Sequence, residues 1–168
     1  MPTRRHLLAA AALLPLVATH RSLADETPEA FVASIYAHVT AGDGRTGGSE
    51  ITDPVTRGRW FTRDLIAVWK VAEDKADKDG DIGPVDFDLL TDSQDPEVRR
   101  VSITPREVKP ASAMVRVGLF AAKKAKAGEK PYSVLEFVLL REGGAWRIDE
   151  VRKVSGDPWS LRTLIENR

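Results

Sequence analysis

The sequence predicts an α+β domain whose antiparallel β-sheet occupies the C-terminal half and is covered by helices that precede it. Three apolar runs, Ser112 to Ala121, Tyr132 to Arg141 and Ala145 to Val154, follow one another across short polar breaks. Upstream, apolar residues recur at spacings of three and four, the period of helices with one buried stripe. Export is written at the other end, where two arginines precede a short apolar stretch.

That stretch, Leu7 to Ala18, is twelve residues long, against the roughly 20 a membrane-spanning helix needs. It follows Arg4-Arg5 and runs on to Ser22-Leu23-Ala24, the pattern of a cleaved signal peptide, so residues 1–24 are expected to be removed before Asp25. The paired arginines followed by Leu7-Leu8 resemble a twin-arginine export signal, with Leu7 and Ala9 where that pattern usually has Phe and Lys. A periplasmic or secreted single domain, residues 25–168, with no integral membrane segment after cleavage, is the resulting expectation. Its size is enough to bury roughly two thirds of the unfolded chain's surface. No cysteine is present, which excludes disulfides, thiolate metal sites and a catalytic thiol.

Removing residues 1–24 takes three arginines and no acids from a chain with 25 of each sign, leaving a net charge of −3. Such a balance argues against nucleic acid as a partner. The charge is uneven: Glu73 to Glu97 holds ten acids and two lysines, so one end of the molecule is acidic.

In chain order, Thr27-Pro28-Glu29 supplies an N-cap, a proline at the first helical position and an acid in the first turn. Phe31, Ile35 and Val39, with Val32 and Tyr36 alongside, form the stripe of a helix that ends by Gly42. Gly42 to Ser49 holds four glycines and reads as a mobile loop. A second helix, about Thr62 to Ala76, turns Phe61, Leu65, Trp69 and Ala72 to one side. Asp77-Lys-Asp-Gly-Asp then invites a calcium-loop reading with Gly80 at the sixth position, but Lys75 stands where the first ligand belongs, and a solvated acidic loop fits better.

Asp86 and Asp88 alternate about Phe87, which suggests one face of a strand. Two carboxylates so placed can share a proton or hold a cation if desolvated. The plainer reading is that they, with Gln94 and Asp95, accept backbone hydrogen bonds and hold a turn. His38, off the stripe of the first helix, reads as a surface residue. Val98 to Thr104 is a strand that Pro105 places at an edge or ends.

Among the three runs, the second is apolar on both faces except at Glu136 and is expected to be the central strand, covered on both sides. Glu142-Gly143-Gly144 is a tight hairpin turn. Val151 breaks the alternation set by Trp146 and Ile148, which predicts a bulge near Asp149 and Glu150. Lys123, Lys124, Lys126 and Lys130 make a basic hairpin tip, and Asp157-Pro158 is expected to cap a last helix through Leu161, Leu164 and Ile165.

Asp86-Phe87-Asp88, Gln94-Asp95, Trp146 to Val151 and Ser160-Leu161-Arg162-Thr163-Leu164, taken together, resemble a family of exported bacterial proteins known only as a domain of unknown function. The resemblance implies a cystatin-like or nuclear-transport-factor-two-like cone, a curved antiparallel sheet with helices on its concave face. It implies no activity. Two function classes follow: a non-enzymatic envelope protein that binds a small apolar ligand or another envelope protein, or a small isomerase or dehydratase in the cone's pocket. A calcium-stabilised module stands behind them. A single histidine remains after cleavage and no acid/base pair stands out, which weighs against an enzyme. Neither cofactor nor metal ligand set is called for, and the candidate binding residues are Asp86, Asp88, Gln94, Asp95 and Asp149.

Overall fold

The computed structural model describes residues 26–167, so the export signal and its cleavage before Asp25 lie outside the described residues. Four helices and five strands follow in the order α1 Pro28–Val39, α2 Ser49–Thr52, α3 Arg63–Asp79, β1 Arg100–Val108, β2 Ser112–Phe120, β3 Ser133–Glu142, β4 Ala145–Lys153, β5 Trp159–Ser160 and α4 Leu161–Glu166. The strands form one antiparallel meander, β1-β2-β3-β4-β5. This is an α+β fold with a curved five-stranded sheet.

Three of the four helices, α1, α3 and α4, start at a side-chain cap, whereas α2 follows Gly48 without one. Thr27 Oγ1 accepts the Ala30 N–H at 3.2 Å, and Thr62 Oγ1 accepts the Leu65 N–H at 3.2 Å. Gly80, at φ 70°, is the left-handed C-cap of α3. Asp77 and Asp79 therefore lie in the last turn of a helix, and the calcium loop weighed for them is not formed. The cap of α4 is Ser160, whose hydroxyl accepts the Thr163 N–H, rather than Asp157-Pro158. The reason is β5, which takes Trp159 and Ser160 into the sheet and starts the helix after them.

Phe31, Val32, Ile35, Tyr36 and Val39 of α1 pack on β1 and β2, while Leu65, Trp69 and Ala72 of α3 reach β4 and α4. From the sheet they meet Val115, Val117, Leu135, Phe137, Leu139, Trp146, Ile148 and Val151. Tyr36 meets Phe137 edge-on at 6.0 Å and Phe61 meets Trp69 at 5.5 Å, geometries that add about 1 kcal/mol each to the burial itself. Trp146, 2% exposed, donates its indole N–H to the Glu26 carbonyl at 2.9 Å.

The Gly143-Gly144 turn forms with both residues at positive φ, 58° and 85°, between Glu142 and Ala145. The predicted bulge is at Asp149: Val138 pairs with Glu150 and Leu139 with Ile148, leaving Asp149 unpaired and restoring Val151 to the core side. Of the two readings of Pro105, the edge placement holds: β1 is a free edge of the sheet and runs on through Pro105 to Val108, with Pro105 at a register shift where its missing N–H costs nothing. Two expectations need correction. β3 is central but carries helices on one face only, the side of Leu135, Phe137 and Leu139. And three of the four glycines of residues 42–49, Gly44, Gly47 and Gly48, are close-packed, while Gly42 has open space around it. A Cβ on Gly48 would lie 2.5 Å from Leu90 Cδ1, and one on Gly44 2.4 Å from the Val98 carbonyl oxygen.

Candidate functional site: a loop clasp and an open sheet face

Residues 86–95 form no strand. They make a turn closed by the Asp88 N–H on the Ser93 carbonyl at 3.0 Å. Asp88 Oδ1 accepts the N–H groups of Leu90 at 2.9 Å and Thr91 at 3.1 Å, and its Oδ2 accepts that of Gly48. One carboxylate thus satisfies donors from two loops forty residues apart. Asp92, at φ 52°, takes the left-handed conformation that Asp tolerates better than most residues. Its Oδ1 accepts the Trp159 indole N–H at 2.8 Å and its Oδ2 pairs with Lys153 Nζ at 2.8 Å. Above the turn, the Tyr36 hydroxyl donates to the Leu90 carbonyl at 2.9 Å and that of Tyr132 to the Thr91 carbonyl at 3.0 Å. Burial, with the nearby Asp88 carboxylate next, raises the Tyr36 phenol well above its ordinary value. Burial and then Asp92 push Tyr132 up to about 12.

The residues singled out from sequence are not gathered into one site. Asp88 is committed to backbone donors. Asp86, Gln94 and Asp95 are exposed on the outside of the same loop. The Gln94 amide reaches the Asp86 carbonyl at 3.5 Å, and Asp95 borders a shallow cleft with Arg45, Pro96 and Glu97. Asp149 lies on β4, where its Oδ1 accepts from the Thr62 hydroxyl at 2.9 Å and from Arg162 Nη2 at 2.8 Å, tying α3, the bulge and α4 together. Asp86 and Asp88 do not share a strand face, because Asp88 turns inward to serve the N–H groups of the turn. His38 is exposed, as read from its place on α1.

A second constellation was hidden in the sequence. On the face of the sheet away from the helices, Thr104, Arg116, Glu136, Arg152 and Ser160 stand in one cross-strand row. Glu136 Oε2 meets Arg116 Nη2 at 2.9 Å and Oε1 meets Arg152 Nη2 at 2.8 Å. The carboxylate is 7% exposed and the two arginines 40% and 39%. One buried negative charge therefore holds two guanidiniums, and the row carries a net positive charge. Beside it stand Met114, Val138 and Leu140, all partly exposed. A sheet face open to water ordinarily alternates to polar residues. Of the outer positions of β3 from Val134 to Leu140, which are Val134, Glu136, Val138 and Leu140, only Glu136 is polar, and Glu142 follows at the strand's end. Past Arg152 the row opens into a groove of about 400 Å³ lined by Pro158, Trp159 and Thr163.

No family model, curated protein or solved structure matches the chain. What the two constellations can do thus rests on their own chemistry. The clasp uses its carboxylates up: Asp88 and Asp92 together accept from five donors, three of them main-chain. The outer row keeps capacity in reserve, since each arginine spends one terminal nitrogen on Glu136 and is about 40% exposed. The sequence signal for Glu136 was its solitude in an apolar run; for Asp92 there was none, because a left-handed φ is not written in an Asp-Ser dipeptide. Among the described residues, no group of three or more His, Cys, Asp or Glu side chains is placed to hold a metal ion, and no helix is long and apolar enough to cross a membrane.

Proposed function

We propose that this chain is an exported, non-enzymatic envelope protein that binds another protein through the outer face of its sheet, and that its fold is the cystatin-like cone of the exported family its motifs resemble. The observation that carries the reading is the outer face itself, where Met114, Val138 and Leu140 flank the Arg116–Glu136–Arg152 row. Apolar side chains beside excess guanidinium suit a partner segment that brings carboxylates and apolar groups together, because charge complementarity sets the register while apolar burial supplies affinity. The other side of the sheet supports binding over catalysis: Tyr36, Phe61, Phe137 and Trp146, each 2% exposed or less, fill the space where a cone enzyme keeps its pocket. Export rests on Arg4-Arg5, the Leu7 to Ala18 run and Ser22-Leu23-Ala24.

A photo-reactive residue at position 140 tests the binding face in intact cells, with one at Val71, 69% exposed on α3, as control. A defined adduct is expected from position 140 alone, lost when Arg152→Glu reverses the row's charge. Equal adducts from both positions, or one indifferent to Arg152→Glu, would refute the face. N-terminal sequencing of the periplasmic protein is expected to begin at Asp25, and full-length chain in the membrane fraction would refute export.

A further inference from the structure

At the opposite end of the core from the loop clasp, where α1, the Arg57–Arg59 turn and the start of β4 meet, lies a cleft of about 270 Å³. Its floor is aromatic. Trp60, half-buried, meets Phe31 at 6.1 Å and is edged by His38 at 6.3 Å. Its rim is cationic. The Arg59 guanidinium lies 5.7 Å from the Trp60 ring centroid, and Arg147 spends one terminal nitrogen on the Trp146 carbonyl at 2.7 Å. Seven other arginines, Arg57, Arg63, Arg99, Arg100, Arg116, Arg152 and Arg162, each have a carboxylate within ion-pair distance, whereas Arg45, Arg106 and Arg141 lie apart from one another in sequence with no such partner among the described residues. Arg59 and Arg147 have none among the described residues, although they border the same concavity. Glu26 is the acid at its edge, and its carbonyl is held by the Trp146 indole while no ion pair ties its carboxylate to either arginine.

We propose that this cleft is a binding site for a small aromatic carboxylate, with the ring on Trp60 and Phe31 and the carboxylate on Arg59 and Arg147. Planar guanidinium donors match a carboxylate in shape as well as charge, and an aromatic floor rewards a flat apolar body over a bare anion. The volume, at the low end for ligand pockets, limits the ligand to a small one. Ser34, half-buried on the wall, offers a hydroxyl already donating to the Phe31 carbonyl at 2.7 Å, so its oxygen remains an acceptor for a ligand hydroxyl or amine. The cleft borders the outer sheet face at Arg147, which pairs with Leu140, but shares no residue with the Arg116–Glu136–Arg152 row, so Arg59→Ala tests the cleft apart from that face.

The test uses 2-naphthoate as probe, with calorimetry for affinity and the indole N–H resonances of the protein for location. Saturable binding is expected to move the Trp60 indole resonance and leave those of Trp69, Trp146 and Trp159 in place. Arg59→Ala and Arg147→Ala are each expected to weaken binding about tenfold, the scale of one charge-assisted hydrogen bond, with melting temperature unchanged for Arg59→Ala. The neutral 2-naphthylmethanol is expected to bind at least tenfold more weakly, and benzoate more weakly than naphthoate. Equal affinity for acid and alcohol, indifference to both arginine substitutions, or a Trp60 resonance that stays put at saturating probe would each overturn the proposal.

Discussion

Leu139 and Leu140 are neighbours on β3, yet Leu139 is sealed beneath the helices at 0% exposure whereas Leu140 stands partly exposed on the outer face. The same contrast runs along the strand: Leu135 and Phe137 face the core, Val134 and Val138 the outside. Side-chain type does not distinguish the two faces. What does is their means of staying dry, helix packing on one and a buried ion pair with long arginine stems on the other. Arg116 and Arg152 lie over the strands with their heads toward Glu136, covering apolar surface while keeping part of each guanidinium in water. An apolar strand flanked by arginines is therefore no sign of double helical cover, and the face it leaves open keeps part of its apolar area in water.

The largest effect that can break this comparison is a pair of truncations one residue apart. Leu139→Ala is expected to cost about 2–5 kcal/mol, the transfer and cavity terms of a closed core position. Leu140→Ala is expected to cost about 1 kcal/mol, since only part of its area leaves water on folding. Urea unfolding of the two variants measures both. Equal losses would mean that the outer face is covered as fully as the core, and the two-faced description would fall.

The next effect down concerns Glu136→Gln. The amide keeps the shape but loses the charge and faces one arginine with an N–H₂ group, leaving two guanidiniums side by side. Removing one partner of a fully buried ion pair costs about 3–5 kcal/mol; here the arginines are about 40% exposed and can turn to water, so about 2 kcal/mol is expected. The loss should shrink at high salt, which screens the repulsion left between the guanidiniums. A melting temperature equal to wild type would show the row to be solvated and without a structural part. Recovery in Glu136→Leu with both arginines also made apolar would agree with the row being dispensable for stability and retained for what it presents.

How far the sequence carries the fold follows from where the deciding hydrogen bonds are. The hairpins of β2, β3 and β4, the Asp149 bulge and the caps at Thr27 and Thr62 are local, and period, glycine and cap residues announce them. The clasp is not local. Asp88 to Gly48 spans 40 positions and Tyr36 to Leu90 spans 54, so glycines that look mobile in isolation are fixed by a carboxylate and a side chain far along the chain. The Arg116–Glu136–Arg152 row was equally out of reach, because it exists only once the register of three strands is set. Of the five candidate site residues, Asp88 alone turned out to hold the clasp, and Asp149 serves a different junction.

The smallest effect at neutral pH is expected from Tyr132→Phe, which removes a hydroxyl from the helix-side loop and leaves the outer face untouched. Its hydrogen bond to the Thr91 carbonyl is half-exposed, and losing it should cost about 0.5–1 kcal/mol at pH 8. The pH dependence is the sharper reading. In the unfolded chain the phenol ionises near 10, whereas in the folded protein burial and then the charge of Asp92 hold the proton on until about 12. Above pH 10 the unfolded state binds fewer protons than the folded one, so stability is whole below that value and falls as pH rises through the window from 10 to 12. Tyr36 adds to the fall in the same direction, its phenol being raised by burial first and by Asp88 next. Tyr132→Phe should therefore unfold more easily than wild type at pH 8 and lose less stability between pH 10 and 12, so that the two stability curves converge. Parallel curves across that window would mean that Tyr132 ionises alike in both states, and that the clasp lies open to solvent where the structure closes it.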